Sequence, residues 1–198
     1  MNNYEYIIAS LPVLDKDMHA GALDPEGLTQ WIRSQCSAQD NALIDKLLSG
    51  FEGSGLDEEF YSDASRSGNS YVRDWFAYDL TMRNAKVRWL NKRLGRPASM
   101  DTLPEPEPDA AVVSKIDSAL GIEGILERER ALDDLLWTKS AELVTYDYFD
   151  INVVLSFLTR LNIVNRWIAL DEESGREMFR KLVKEVRGTF GEVHYEGR

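Results

Sequence analysis

The chain has 198 residues, 34 of them acidic and 23 basic, for a net charge of -11. That length buries a core without disulfide or metal staples. With 43% hydrophobic and 29% charged residues, the composition is that of a globular rather than a disordered protein. The acidic balance argues against a general nucleic-acid binder, whose phosphate contacts need a basic face.

Cys36 is the sole cysteine, so no disulfide forms within the chain, which favours a reducing compartment. Met1-Asn2-Asn3-Tyr4-Glu5 places an acid where a signal peptide carries Lys or Arg. The longest apolar-looking run, Ile151 to Leu170, is interrupted by Asn152, Arg160, Asn162, Asn165 and Arg166, so it is not a spanning helix. The expectation is a protein that is soluble or held at a membrane through a partner.

Tyr4 to Leu14 is rich in β-branched and aromatic residues and ends around Pro12. It predicts a short strand or extended segment, with a helix fitting nearly as well. Asp15 to Gly21 reads as a loop. Asp24-Pro25 then opens a helix, with Asp24 as cap and Pro25 in the first turn, followed by Leu28, Trp31, Ile32 and Gln35 at helical spacing. Ser37 with Asp40 three residues on opens a second. Its stripe of Leu43, Ile44, Leu47 and Leu48 stops at Gly50. Gly50, Gly53 and Gly55 make the next stretch a loop. Glu52 inside it, and the lack of a following Lys-Ser/Thr pair, argue against phosphate binding there.

The next element is a long helix from about Asn69 to Leu94. Val72, Phe76, Leu80, Arg83, Val87, Leu90 and Leu94 form one row, and Trp75, Tyr78, Met82, Ala85 and Trp89 an adjacent one. A face that wide predicts a central helix clamped between two others. The sharper reading leaves Trp75, Tyr78 or Trp89 partly exposed as a protein-binding stripe, with Arg83, Arg88 and Lys92 beside them. Cations late in a helix also complement its dipole, which accounts for part of the cluster.

Arg96 to Pro108 carries prolines at 97, 104, 106 and 108, with acids between the last three. It reads as an extended, partly solvated linker and the best internal boundary. Beyond it Asp109 caps a helix to Leu120, closed by Gly121. Ile122 to Val144 forms another, and about Tyr148 to Leu170 a long apolar one. Ser174 to Val186 forms the last, with a frayed tail beyond. The predicted fold is all-α: a multi-helix bundle in two lobes, about 1–95 and 109–188, joined by the linker 96–108, with the tail 189–198.

Chemistry-bearing motifs are sparse. His19 and His194 lie near the chain ends and have no two-His spacing. Cys36 is alone, and a structural thiol is the more economical reading. No Gly-x-Ser-x-Gly elbow occurs. Glu129, Asp133, Asp134 and Glu142 share one charged helix, and a carboxylate site on Glu129, Asp133 and Glu142 is the enzymatic alternative. No cofactor or metal is expected.

Three stretches carry a resemblance: Tyr4-Glu5-Tyr6-Ile7-Ile8-Ala9-Ser10-Leu11-Pro12-Val13-Leu14, Tyr148-Phe149-Asp150-Ile151-Asn152-Val153-Val154-Leu155 on to Arg166-Trp167, and Leu170-Asp171-Glu172-Glu173-Ser174-Gly175. They resemble a small bacterial family encoded among the genes of V-type (A-type) ATP synthases. That family in turn is similar to a shortened form of the C-type subunit of those synthases, the helical socket between the central stalk and the membrane proteolipid ring. The C-type subunit has a similar Tyr-x-Tyr opening and helices that run from an acid to an Asn and then to Arg or Lys. Asp79, Asn84 and Arg88 match that pattern loosely, and Asp150 with Asn152 more weakly. This chain departs by having Ile7, Ile8 and Ala9 where the C-type subunit is basic, and by its shortness. The resemblance implies a non-catalytic component in proton or sodium transport. It would sit at the cytoplasmic face, with central-stalk and proteolipid subunits as partners. An assembly factor or regulator of that ATPase is the alternative.

Overall fold

The computed structural model describes residues 3–18 and 23–169, with Val183, and every regular element among them is helical. In chain order these are α1 (Tyr4–Ala9), α2 (Pro25–Gln35), α3 (Ala38–Ser49), α4 (Glu58–Ser65), α5 (Ser70–Arg93), α6 (Ala110–Leu120), α7 (Ile125–Glu142) and α8 (Ile151–Ala169). The all-α expectation holds. None of the described helices is long and apolar enough to cross a membrane. Apart from Val183, the helix expected over Ser174 to Val186 lies outside the described residues, as do the tail beyond it and both histidines.

Local signals set most of the helix starts. Asp24 accepts from the Gly27 N–H ahead of Pro25. Ser37 and Asp40 form a reciprocal capping box. Asn69 accepts from the Val72 N–H, and Asp109 from the Ala111 N–H. Each cap satisfies an otherwise orphaned helix donor and is worth about 1 kcal/mol. At the end of α3, Gly50 lies against the Phe76 ring, and any Cβ there would overlap it.

Two parts of the sequence reading change. The opening segment is not a strand: Asn3 caps α1, and helical spacing turns Ile7 inward with Tyr4, Ile8 and Leu11 packed beside it. Burial on one face outweighs the strand preference of two isoleucines. A helix that the sequence reading does not assign, α4, sits between the glycine loop and α5. Asp57 caps it, Glu58 and Glu59 occupy its first turn, and Tyr61 and Ala64 anchor it.

The core divides into two clusters, and α5 passes through both. Its first half contributes Tyr71, Val72, Trp75, Phe76 and Leu80 to a large cluster with Ile7, Ile32, Ile44 and Leu47. Its second half contributes Met82 and Ala85 to a smaller one with Ile116, Ala119, Leu120 and Leu132. The two clusters do not separate at the proline linker. Helix α8, from beyond it, supplies Val154, Leu155, Phe157, Leu158 and Leu161 to the large cluster and packs on α1, α2, α3 and α5. Helices α6 and α7 in turn pack on α5. The chain on the two sides of the linker therefore interlocks.

The linker itself is strapped to α5. Asn84, Arg88 and Asn91 fall on one side of the helix at spacings of four and three. Asn84 pairs with both backbone groups of Leu103 at 2.9 Å. Arg88 reaches Glu105 at 2.9 Å, and Asn91 donates to the Met100 carbonyl at 2.6 Å. The rest of the segment stays largely exposed, in keeping with the partly solvated reading.

Candidate functional site

Helix α5 holds the aromatic stripe singled out from the sequence, and one of its three rings is interior. Trp75 is only 2% exposed and lies parallel to Tyr71, ring centroids 6.2 Å apart. It is a core residue and offers nothing to a partner. Tyr78 and Trp89 are half-buried against the smaller cluster, and cations cover them. Lys139 of α7 lies 5.6 Å from the Tyr78 ring centre. Arg93 and Arg128 lie 4.1 and 4.7 Å from that of Trp89. Burial pushes the Tyr78 hydroxyl up to about 12, with Glu142 adding to the effect.

The cations expected beside that stripe also have internal work. Arg83 donates to the Leu56 carbonyl at 2.7 Å and lies near the Tyr61 ring. Arg88 is engaged by Glu105. Of the three, Lys92 alone is exposed. Arg83 and Arg88 therefore fold the glycine loop and the linker onto α5, and of the expected docking face Tyr78, Trp89 and Lys92 keep some exposure.

The carboxylates do not converge. Glu129 and Asp133 lie one turn apart on α7, and Arg166 of α8 bridges them at 3.3 and 2.6 Å. The Trp167 indole N–H also donates to Asp133, at 2.6 Å. Burial pushes the Asp133 carboxyl above its ordinary range, while Arg166 and Trp167 pull against that. Glu142 is exposed, nine residues further along α7. At about 100° per residue that is half a turn away, on the opposite side of the helix. Asp134 pairs with Lys16. Among the described residues no group of three His, Cys, Asp or Glu side chains could hold a metal ion. Cys36 is half-buried, and burial together with the Asp40 carboxylate pushes its thiol up to about 11, the setting of an inert structural thiol.

Two further features are polar. Tyr71, Ser140, Ser156 and Thr159 form a buried hydroxyl network joining α5, α7 and α8, with the Tyr71 hydroxyl 2.8 Å from both Ser140 Oγ and Thr159 Oγ1. An open cleft of about 410 Å³ lies between α2, the end of α3 and α8, lined by Arg33, Phe51, Glu52, Leu161 and Asn165 among others.

The surface that stands out is the turn between α7 and α8. Tyr146, Tyr148 and Phe149 are 88%, 72% and 58% exposed, three large rings within four residues. The turn is built from below rather than loose. Asp150 Oδ1 accepts from the Asn152 and Val153 N–H groups and so caps α8. Asn152 donates to Asp147 Oδ2 at 2.9 Å and accepts from Asn69, the cap of α5, at 2.8 Å. These bonds pin the N-termini of α5 and α8 together beneath the turn. With its polar groups directed down into the caps, the turn has no helix face on which to bury the rings. The sequence reading placed Tyr148 and Phe149 at the start of α8 and offered no site here. The signal was the dense Tyr-Asp-Tyr-Phe-Asp run between two apolar helices.

A family model described as a protein of unknown function (DUF2764) matches residues 108–189, a stretch that contains α6, α7, the aromatic turn and α8. No curated protein matches the chain, and no solved structure does.

Proposed function

We propose that the protein is a non-catalytic component of a V-type ATP synthase, similar to its C-type subunit, that links the central stalk to the proteolipid ring. The observation that carries this reading is the course of α5 through both hydrophobic clusters, with α8 returning across the linker to close the larger one. A coupling part has to pass force from one end to the other without yielding between lobes, and a helix shared by two cores resists such yielding. The resemblance at Tyr4 to Leu14 and Tyr148 to Trp167 supplies the assembly. The residues of the acid-Asn-Arg pattern are structural in a consistent way: Asp79 accepts from the Tyr61 hydroxyl at 2.7 Å, Asn84 holds Leu103, and Arg88 holds Glu105. On this reading the protein sits at the cytoplasmic face and reaches the membrane through its partners.

The test is a tagged pull-down from gently solubilised membranes, followed by gel filtration and mass spectrometry. Near-stoichiometric catalytic, stalk and proteolipid subunits are expected. Substoichiometric recovery that is lost on gel filtration would make the protein an assembly factor. Recovery of none of them would refute the reading.

A further inference from the structure

We infer that the α7–α8 turn docks a Lys- or Arg-bearing segment of another protein. Three observations meet there. The first is exposure: Tyr146, Tyr148 and Phe149 present large rings to solvent, and among the described residues no aromatic or cationic side chain lies over any of them. Four other rings, Tyr78, Trp89, Trp137 and Trp167, are each covered by a cation of the chain itself.

The second observation is charge. From Ser140 to Thr159 the chain carries Glu142, Asp147 and Asp150 and neither Lys nor Arg. The cations that border this stretch are turned inward, Lys139 towards Tyr78 and Arg160 towards Trp137. The turn therefore offers open π faces on an acidic stretch of chain, with no cation from the described residues to fill them. Rings flanked by negative charge attract ammonium and guanidinium groups.

The third observation is stiffness. Asp150 and Asn152 tie the turn to the starts of α8 and α5, so its rings are held out on a fixed base, which lowers the ordering cost of binding. The same acids argue against the other occupants. An anionic lipid surface or a nucleic-acid phosphate would be repelled, and a second copy of the turn would meet like charge. This inference is independent of the rotary reading: it names the chemistry of what the turn holds, whatever the assembly.

The experiment is a titration of the ¹⁵N-labelled full chain with a synthetic amphipathic Leu/Lys peptide, with a Leu/Glu peptide of the same pattern as control. Saturable shifts centred on the amides of residues 144–150 are expected with the Lys peptide alone, weakening as salt rises. The paired replacement Tyr146→Leu and Tyr148→Leu keeps apolar bulk and removes both π faces; it should weaken binding about ten-fold. Glu142→Gln should weaken it less. Equal binding of the Glu peptide, unchanged affinity in the paired variant, or shifts centred elsewhere would overturn the inference. So would concentration-dependent self-association that the paired variant abolishes, since it would assign the turn to a second copy.

Discussion

The side-chain amide of Asn84 closes a two-bond ring with the backbone of Leu103: its Nδ2 donates to the carbonyl and its Oδ1 accepts from the N–H, both at 2.9 Å. Asparagine is the residue that answers a peptide group in this way, with one donor and one acceptor on a short side chain. Asn84 itself is 1% exposed, so the pairing satisfies a polar group that water does not reach.

Asn84→Ala should therefore lower stability by about 2 kcal/mol, chiefly through the unpaired backbone groups of Leu103. Urea unfolding measures the loss. Hydrogen exchange at the Leu103 amide should accelerate more than exchange in the middle of α5. Equal acceleration at both places would mean that the strap and α5 open only together.

Trp75 and Tyr148 should behave oppositely. Trp75→Ala empties an enclosed site and should cost about 3–5 kcal/mol. Tyr148→Ala alters a largely solvated ring and should change stability by less than about 0.5 kcal/mol. Denaturant midpoints of the two variants check both, and a large loss from Tyr148→Ala would place that ring in the core.

Asp79 gives a pH-dependent prediction. Burial raises its carboxyl above the ordinary range, while the Tyr61 hydroxyl, Arg83 and Lys86 pull it back. The folded chain thus holds this proton more tightly than the unfolded chain. Its contribution is full below the unfolded value near about pH 4 and is lost as pH rises through the folded value. Asp79→Asn does not titrate and can still accept from Tyr61. Its stability relative to the parent should improve as pH rises above about 4 and level off once Asp79 is ionised in the folded chain. A difference that stays constant with pH would show that Asp79 is not strained by burial.

Tyr71→Phe isolates the buried hydroxyl network. It keeps the ring stacked on Trp75 and removes the O–H bonded to Ser140 and Thr159. A loss of about 1–2 kcal/mol is expected. The Ser140–Ser156 contact should survive, because it does not pass through Tyr71.

What could be read in advance was mostly local. Asp24-Pro25, Ser37 with Asp40, Asn69 and Asp109 announce helix starts through chemistry confined to one turn, and the structure uses each of them. Helix α4 escaped because its eight residues carry only two buried anchors, too few to show a period. How closely the two lobes pack through α8 was not legible. An apolar stripe states that a helix is buried but not against which partner, and α8 found α1, α2 and α3 rather than its sequence neighbours alone. The binding stripe misplaced Trp75 for a related reason. Aromatics at helical spacing on a long helix are drawn into packing, as Trp75 was, whereas those confined to a short turn have no face to hide. Tyr146, Tyr148 and Phe149 were visible as letters; their exposure depended on the caps of two helices far apart in sequence.

The return of α8 to the opening helices also bears on how the chain is made. Ile7 and Ile44 are covered only when residues 154–161 arrive, more than a hundred positions later. On the ribosome the first ninety-odd residues would emerge with the large cluster open on one side. Their stable burial waits until most of the polypeptide has been synthesised, since contacts this distant form late. A fragment ending in the proline segment should accordingly be prone to aggregation, and premature termination there would release a sticky product rather than half of a working protein.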